Sequence, residues 1–452
     1  MLFNGEQLQA ATGGTLIQNA IAGSICTDTR KIQKGDWFLA LVGERFDAHH
    51  FLNKAKEMGC AGVIANYVPK DWDIGFLKVS DTLVALQDIA RYARNRYEGT
   101  VIAITGSAGK TTTRALVQAV LQEKGRVLAT QGNFNNHIGL PLTILGAEGN
   151  EDFWVLELGM NHAGEIALLQ EIAKPHIRLI TNVGAAHLEG LGSIEGVAKA
   201  KGELFDGANP SDICLINSDD KHICSLPLPA GVKTLRFGRR TDSIVQLLET
   251  DISAKELSTT FRIQTPKGQV LSTIQSPGEH LALNATAAVA VGFLLDVPSE
   301  KMSVGMSRYK PVGARLRVEA GPKGIRLLND AYNANPLSMK ASLRTLAQLQ
   351  PQRRIACLGD MLELGDEEVQ EHLEIIQYAL SLELDLIGVC GPIFTKAAHL
   401  IQDSRFLIAD DATELGHKIK ASIREKDILL LKGSRGSRME NLLQVLEASH
   451  AP

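Results

Sequence analysis

Several things are scarce in this sequence of 452 residues, and each shortage narrows what the chain can do. Basic residues hold no surplus: 47 Lys and Arg stand against 51 Asp and Glu, a formal net charge of -4. Electrostatics therefore gives no reason to expect nucleic acid or an anionic membrane surface as a partner. No apolar run approaches the about 18–20 residues that span a bilayer, so no stable membrane insertion is expected. The opening stretch MLFNGEQLQAATGG lacks the basic start and long apolar core of a signal peptide. The six cysteines (Cys26, Cys60, Cys214, Cys224, Cys357 and Cys390) are scattered without a CxxC pair. That spacing predicts free thiols in a reducing cytoplasm and argues against a zinc site or a disulfide framework. There is no short-period repeat and no low-complexity segment. At this length one core is not enough, and two to four domains are expected.

What is present begins at residues 101–121, VIAITGSAGKTTTRALVQAVL. Four apolar residues read as a buried strand. Thr105-Gly106-Ser107-Ala108-Gly109-Lys110-Thr111 then turns into a helix whose Leu116, Val117, Val120 and Leu121 recur at helical spacing. A glycine-bearing turn at a helix N-terminus presents backbone N–H groups and partial positive charge to an anion. Lys110 reaches terminal phosphates in such a loop, and Thr111 or Thr112 holds Mg²⁺. A nucleoside triphosphate is the expected ligand. The loop is shorter than the usual form, which needs a glycine where this chain has Ile104.

Strand-like and helical stretches alternate along the whole chain, which predicts an α/β fold with mainly parallel sheets. Three sections are expected: 1–98, with short strands and a closing helix over 82–97; 99–312, with strands at 101–104, 154–158, 177–182 and 213–217, a β-rich interval over 235–274 and an Ala-rich helix over 281–295; and 313–452, with strands at 325–328, 355–358, 386–389 and 428–431. In open α/β sheets ligands lie beyond the carboxyl ends of the strands. Here those ends are polar: Glu157 before GMNH, GAAHLE with His187 and Glu189, NDAYNANP with Asp330 and Asn333, GDM with Asp360, and KGSR with Lys432 and Arg435. Any one of these reads as a turn or a helix cap. Together, over the section with the phosphate loop and the section after it, they read as a site closed between two domains.

Phosphoryl transfer needs Mg²⁺, cationic clamps and a positioned acceptor. Glu157 fits a Mg²⁺ ligand, direct or through water, or an acidic helix cap. His187 is an unusual Mg²⁺ ligand and reads equally as a hydrogen-bonded loop histidine. Lys199 and Lys201, among small residues before Leu204-Phe205, read on spacing alone as a solvated helix face. Asp330 could orient the transferring phosphate or its metal; Asn333 and Lys432 could hold nucleotide or substrate. Arg435 could clamp a carboxylate in bidentate fashion. A phosphate-loop kinase or a nucleotide-driven binding protein would leave the polar strand ends after residue 313 unexplained.

TGSAGKTT, ELGMNHAGEI, NVGAAHLEGLGSIEGVAKAKGELF, DAYNANP and GDMLELG together resemble the ATP-dependent Mur ligases of peptidoglycan synthesis. The resemblance covers essentially the whole chain, including SICTDTRKIQKGDWFLALVGERFDAHHF near its start. YNANP and GDMLELG point to the branch that joins D-Ala-D-Ala to UDP-MurNAc-tripeptide. The resemblance implies three domains: a small N-terminal α/β domain for the UDP-sugar peptide (1–98), a central phosphate-loop ATPase with a mainly parallel sheet (99–312) and a C-terminal Rossmann-like domain (313–452). It implies a monomeric cytoplasmic enzyme that uses ATP and Mg²⁺ and forms an acyl phosphate on the terminal carboxylate of the tripeptide. By position, Gly106, Ser107, Gly109, Lys110, Thr111 and Thr112 would hold ATP, with Asn284, Arg315 and Asn333 near the nucleotide. Thr111, Glu157, His187 and Lys201 would serve Mg²⁺, Lys201 as the lysine that becomes carbamylated, with Lys199 the competing assignment. Lys110, Lys201, Asp330, Glu157 and His187 would be catalytic. Asp28, Thr29, Arg30, Arg45, Phe46, Asp47, Asn133, Asn135, Asn136, Lys432 and Arg435 would meet the peptide substrates. One departure stands out: Leu281 replaces the first of two Asn residues that the family often places before the Ala-rich helix.

Overall fold

Apolar runs rich in Val, Ile and Leu form strands, the amphipathic stretches between them form helices, and the α/β class expected from that alternation is the one observed. The computed structural model describes residues 1–43, 45–350, 352–401 and 403–448. Its contacts gather into two units. One contains Met1–Ala103, Gly125–Gly159 and Glu165–His176; the other contains Ile104–Lys124, Met160–Gly164 and Ile177–Pro452. The chain passes from the first to the second within the strand Thr100–Thr105.

The first unit holds a five-stranded sheet in the order Thr15–Gln18, Gly75–Lys78, Gly62–Ala65, Trp37–Leu39, Ile25–Cys26. Its strands are parallel except for the first pair. Phe38, Val63 and Phe76 on the sheet pack with Leu52 and Ala55 of the helix Leu52–Glu57. A small hairpin, Val42–Gly43 against Phe46–Asp47, projects after the third of these strands in the chain. The helix Thr82–Asn95 starts at Asp81, whose carboxylate accepts the Leu83 and Val84 amides. Near its other end the buried Arg94 donates to the Ala173 and Lys174 carbonyls, closing off the helix Glu165–Ala173. A parallel pair, Val127–Ala129 with Phe153–Glu157, completes this unit's strands.

In the second unit, Ile177–Ile180, Ile213–Asn217, Lys233–Gly238 and Val245–Ser253 run parallel, and Ser258–Thr265 and Gly268–Ile274 return antiparallel. A second sheet orders Arg317–Ala320, Arg326–Asp330, Ile428–Lys432, Arg354–Gly359, Leu386–Cys390 and Phe406–Ala409. All its neighbours are parallel except the first pair. Alternation along these strands divides the core. Leu328, Leu430, Ala356 and Leu358 face one set of helices. Leu327, Leu429, Leu431, Ile355 and Cys357 face the other. Period-two apolar residues on both faces are what a parallel sheet covered on both sides requires. Because Ile428–Lys432 lies between Arg326–Asp330 and Arg354–Gly359, the strand order changes direction there, and the carboxyl ends of these three strands share one edge.

The phosphate-loop helix, Lys110–Leu121, is packed by Glu279–Leu294 and Ser299–Ser307. Close approach explains their small residues. A Cβ on Gly292 would stand 2.6 Å from Met302 Sδ, and one on Gly305 would meet the Ala119 carbonyl. Glu279–Leu294 is apolar nearly all round because it is buried nearly all round. Substituting Gly305→Ala is expected to push its helix off the phosphate-loop helix and cost about 1–3 kcal/mol. Denaturant unfolding of the full chain measures this; an unchanged midpoint would contradict the packing described.

Candidate active site

The phosphate loop follows Thr105 and is held from one side by the segment after the strand Ile177–Ile180. Ser107 N donates to the Asn182 carbonyl (3.0 Å), and Ala108 N to Asn182 Oδ1 (2.8 Å). The Ala108 carbonyl accepts from Thr181 Oγ1 (2.7 Å) and Asn182 Nδ2 (3.0 Å), and Ser107 Oγ exchanges hydrogen bonds with the Gly184 backbone. Gly106 has φ +150 and lies so close to Thr181 that a Cβ would collide with Oγ1. Gly109 has φ +79, and a Cβ there would stand 2.8 Å from Asn284 Oδ1. Both glycines are therefore required by space as well as by backbone conformation. Gly109 is also the N-cap of the helix, with no side-chain cap bond. A helix N-terminus of this kind suits an anion. Lys110 Nζ folds back onto the Gly106 carbonyl at 2.6 Å. Thr111 and Thr112 are buried at the helix start, and the Tyr309 hydroxyl bonds Thr112.

The segment beyond Asn182 carries two of the expected groups. Asp220 Oδ2 accepts the Val183 amide at 2.7 Å, fixing its path. His187 adopts a left-handed backbone, φ 57, and its Nδ1 lies 2.6 Å from Glu363 Oε2. The hydrogen bond from His187 pulls the Glu363 carboxyl below its ordinary value against the opposing effect of desolvation, and the charge of Lys110 adds to the pull. Lys201 lies on the helix Ile194–Asp206 and is 1% exposed, whereas Lys199 is exposed. This corrects the solvated-face reading of Lys201. Burial first, and the nearby Lys110 charge second, push the Lys201 amine well below the usual lysine value. A neutral, desolvated amine is a nucleophile, and CO₂ would convert it into a carboxylate-like group.

The carboxyl ends of the last sheet form the third part. Asp330 and Lys432 are register partners on neighbouring parallel strands, and Lys432 Nζ meets Asp330 Oδ2 at 2.6 Å. Asp330 also accepts from Leu316 N (3.1 Å) and Ser342 Oγ (2.6 Å), and Lys432 donates to the Asn333 carbonyl (3.2 Å). Both side chains are buried. The structure thus pairs the Lys432 ammonium with Asp330 and the Asn333 carbonyl. Asn333 itself is exposed. Arg315 stacks on Tyr332, 3.7 Å from guanidinium carbon to ring centroid, and Arg435 lies 5.9 Å from the same ring. Asn335 caps the helix Pro336–Ala347 and also donates through Nδ2 to the Ser107 carbonyl of the phosphate loop at 3.0 Å. Sequence reasoning passed over Asn335 because it reads as an ordinary cap, and over Glu363 because its partner lies far away in the chain. Leu281 is buried, while Asn284 remains against the loop.

In the first unit, Glu157 is buried, its amide donates to Thr130 Oγ1 and its Oε1 accepts from Asn135 Nδ2 at 2.9 Å. Asn135 also accepts the Gly159 amide through its carbonyl, Asn136 Oδ1 takes the Gly139 amide, and Asn133 is exposed. Asp28 and Arg30 form a bidentate pair after the strand Ile25–Cys26, with the guanidinium largely in solvent and Thr29 half-buried between them. In the hairpin, Arg45 is exposed, Phe46 stacks on Phe51 at 5.5 Å, and Asp47 accepts the His49 amide and lies 2.6 Å from its Nδ1.

Mg²⁺ takes oxygen ligands and is commonly held by one or two carboxylates together with substrate phosphates. Among the described residues no group of three or more His, Cys, Asp or Glu is placed to hold a metal. The helix N-terminus, the two obligatory glycines and Lys110 fit a nucleoside triphosphate. Thr111 has an oxygen donor suited to its Mg²⁺; Glu157, in the first unit, is a buried carboxylate. As an ammonium Lys201 would repel that ion; as a carbamate it would suit it.

Comparison with known proteins agrees with this chemistry. Residues 104–292 match the family model described as Mur ligase middle domain, and 314–435 match Mur ligase, glutamate ligase domain. The UDP-N-acetylmuramoyl-tripeptide--D-alanyl-D-alanine ligase of Escherichia coli K12 is 37% identical over 94% of this chain and 93% of its own length. The Bacillus subtilis protein of the same name is 35% identical over 98% of this chain and 96% of its own. Among solved structures, MurF from Acinetobacter baumannii superposes with a TM-score of 0.91 at 33% identity, covering 99% of both chains. MurF from Thermotoga maritima in complex with ADP gives 0.83 at 28% identity, over 94% of this chain and 97% of that one.

Gly106→Ala is expected to displace the loop and lower ATP turnover about 100-fold, as a misplacement near 1 Å does; unchanged turnover would contradict the contact with Thr181. His280 borders the Asp330–Lys432 pair, and desolvation pulls it down to about 4, with Asp330 and Glu279 opposing and Lys432 assisting. It should stay neutral above pH 5 in an NMR titration. Since its unfolded-state value is near 6.5, the unfolded chain binds more protons between those values, so stability falls as pH drops from about 6.5 to 4. A His280 resonance titrating near 6.5 would overturn this.

Proposed function

The chain belongs to the Mur ligase family, and from that premise we propose that it joins D-Ala-D-Ala to UDP-MurNAc-tripeptide, a peptidoglycan precursor, with ATP as the energy source. The observation that carries this reading is the phosphate loop of the second unit, with Asn335 of the last sheet bonded to its Ser107 carbonyl. Ligases of that name, 37% and 35% identical over nearly the whole chain, support the substrates, and an ADP complex of a MurF relative supports the nucleotide.

The terminal carboxylate oxygen of the tripeptide attacks the γ-phosphorus, the bond to the ADP oxygen breaks and ADP leaves. The resulting acyl phosphate has a good leaving group where the free carboxylate had none. The amine of the dipeptide attacks the carbonyl carbon, loses a proton, and the tetrahedral intermediate expels phosphate to leave an amide. Lys110 and the N-terminus of its helix hold the phosphates and stabilise charge that builds on them. Bound Mg²⁺ would neutralise the phosphate oxygens; Thr111, Glu157, His187 and a carbamylated Lys201 keep the magnesium roles that family resemblance gives them. Asn284, Arg315 and Asn333 serve the nucleotide. Asp330 and Lys432 brace the strand ends that bear Asn333 and Arg435. Asp28, Thr29, Arg30, Arg45, Phe46, Asp47, Asn133, Asn135 and Asn136 serve the UDP-sugar peptide. Excluding water protects the acyl phosphate from hydrolysis.

We assign three domains at 1–98, 99–312 and 313–452; the separate sheets within 15–78 and 317–432 support the outer two. A monomer in the cytoplasm completes the reading; among the described residues no helix is long and apolar enough to cross a membrane.

Phosphate release from ATP and Mg²⁺ with UDP-MurNAc-tripeptide is expected only when D-Ala-D-Ala is added, with a product of the pentapeptide mass. Release without the dipeptide, for tripeptides bearing either meso-diaminopimelate or lysine, would sink the assignment. With ¹³C-labelled bicarbonate, a carbamate resonance should appear in the protein and vanish in Lys201→Arg; its absence from the unsubstituted protein would remove Lys201 from the metal's ligands.

A further inference from the structure

Two loops from distant parts of the sequence meet at residues 187–189 and 363–365, both within the second unit. His187 Nδ1 and Glu363 Oε2 are 2.6 Å apart across 176 residues of chain. The Glu189 amide donates to the Glu363 carbonyl at 3.4 Å, and Gly365 lies beside Glu189. Leu188, between them, packs on the apolar core of the last sheet. His187 and Glu363 both hold left-handed backbones, at φ 57 and φ 65. Non-glycine residues adopt that region at a cost, and two of them meeting side chain to side chain means that the surrounding structure enforces the pairing. Behind Glu363 the loop is pinned: Met361 N donates to His372 Nε2 (2.9 Å), His372 Nδ1 is 2.6 Å from the Glu368 carbonyl, and Leu362 N donates to Ser434 Oγ (2.9 Å). Glu363 is thus a carboxylate on a fixed support, aimed at one nitrogen of one imidazole.

A carboxylate that accepts from Nδ1–H fixes the ring's orientation and tautomer and keeps its lone pair on Nε2. We propose that Glu363 is a positioning residue of the ligation: it holds His187 through Nδ1 so that Nε2 serves the metal of the bound nucleotide. The last sheet thereby supplies, from GDMLELG, the support for a group that the central section presents. This rests on the reading of His187 as serving that metal. It adds Glu363, for which neither the phosphate-loop pattern nor the strand-end reading provided a role.

The test uses the full chain with Glu363→Gln, Glu363→Ala, His187→Ala and the His187→Ala/Glu363→Ala double substitution. ADP binding is measured by calorimetry across a Mg²⁺ titration and again in EDTA, alongside kcat and KM for ATP and for D-Ala-D-Ala. Glu363→Ala should weaken Mg²⁺-dependent ADP binding and lower kcat by about 10–100-fold, the usual loss when such a support is removed. KM for D-Ala-D-Ala and ADP binding in EDTA should stay at the values of the unsubstituted protein. Glu363→Gln, which keeps the shape and an acceptor oxygen, should fall between. The double substitution should be no worse than His187→Ala, because the two act as one unit. Intact Mg²⁺ dependence in a folded Glu363→Gln and Glu363→Ala, or additive losses in the double substitution, would overturn the proposal. Absence of dipeptide-dependent phosphate release from the unsubstituted protein would instead defeat the ligase reading, while the Mg²⁺ titration would still decide the role of Glu363.

Discussion

The interlock between the phosphate loop and residues 181–184 constrains everything else at this site. Thr181, Asn182 and Gly184 take up the backbone polar groups of Ser107 and Ala108 on one side. Those groups therefore cannot wander, and the helix that starts at Lys110 after Gly109 is held in place with them. The same contact is why Gly106 has no room for a Cβ. It also sets the start of the path that leads through Val183, held by Asp220, to His187. Asn335 then reads the finished loop through the Ser107 carbonyl. Shift this interlock and the nucleotide cradle, the histidine and the contact from the last sheet shift together.

Charge is arranged around the cradle with similar economy. Lys110 and Lys201 lie close enough to disfavour each other's charge, and burial decides which gives way: Lys201 is driven toward the neutral amine. That is the state from which carbamylation starts, and it would replace repulsion from Lys110 with attraction. At the strand ends of the last sheet the opposite solution appears. Asp330 and Lys432 are buried as a pair with further donors to Asp330, so neither charge is left without a partner. Register places them side by side, and the ends bearing Asn333 and Arg435 are braced as a result.

Much of this was legible in the sequence. TGSAGKTT and the four apolar residues before it announced a strand, a phosphate loop and a helix through local spacing, and the alternation of strand-like and helical stretches pointed to mainly parallel sheets. Lys201 could have been placed better: with Val197 four residues before and Leu204 and Phe205 three and four after, it falls on the apolar face of its helix, which the structure buries. Its small neighbours obscured that spacing. Glu363 was out of reach, because nothing local links GDMLELG to a histidine 176 residues earlier. Asn335 satisfied a complete local explanation as a cap before Pro336, and its second contact is a product of tertiary packing. Local pattern reports what a residue does for its own element; partners brought by the sheets' topology leave no such trace.

The central claim is that ATP activates the carboxylate of the tripeptide by direct phosphorylation, and isotope transfer tests it most directly. With ¹⁸O in the terminal carboxylate of UDP-MurNAc-tripeptide, and ATP, Mg²⁺ and D-Ala-D-Ala present, the released inorganic phosphate should carry one ¹⁸O from the carboxylate for each amide formed. Phosphate free of that label, with amide product accumulating, would mean that the carboxylate oxygen never bonded to phosphorus and would contradict the account.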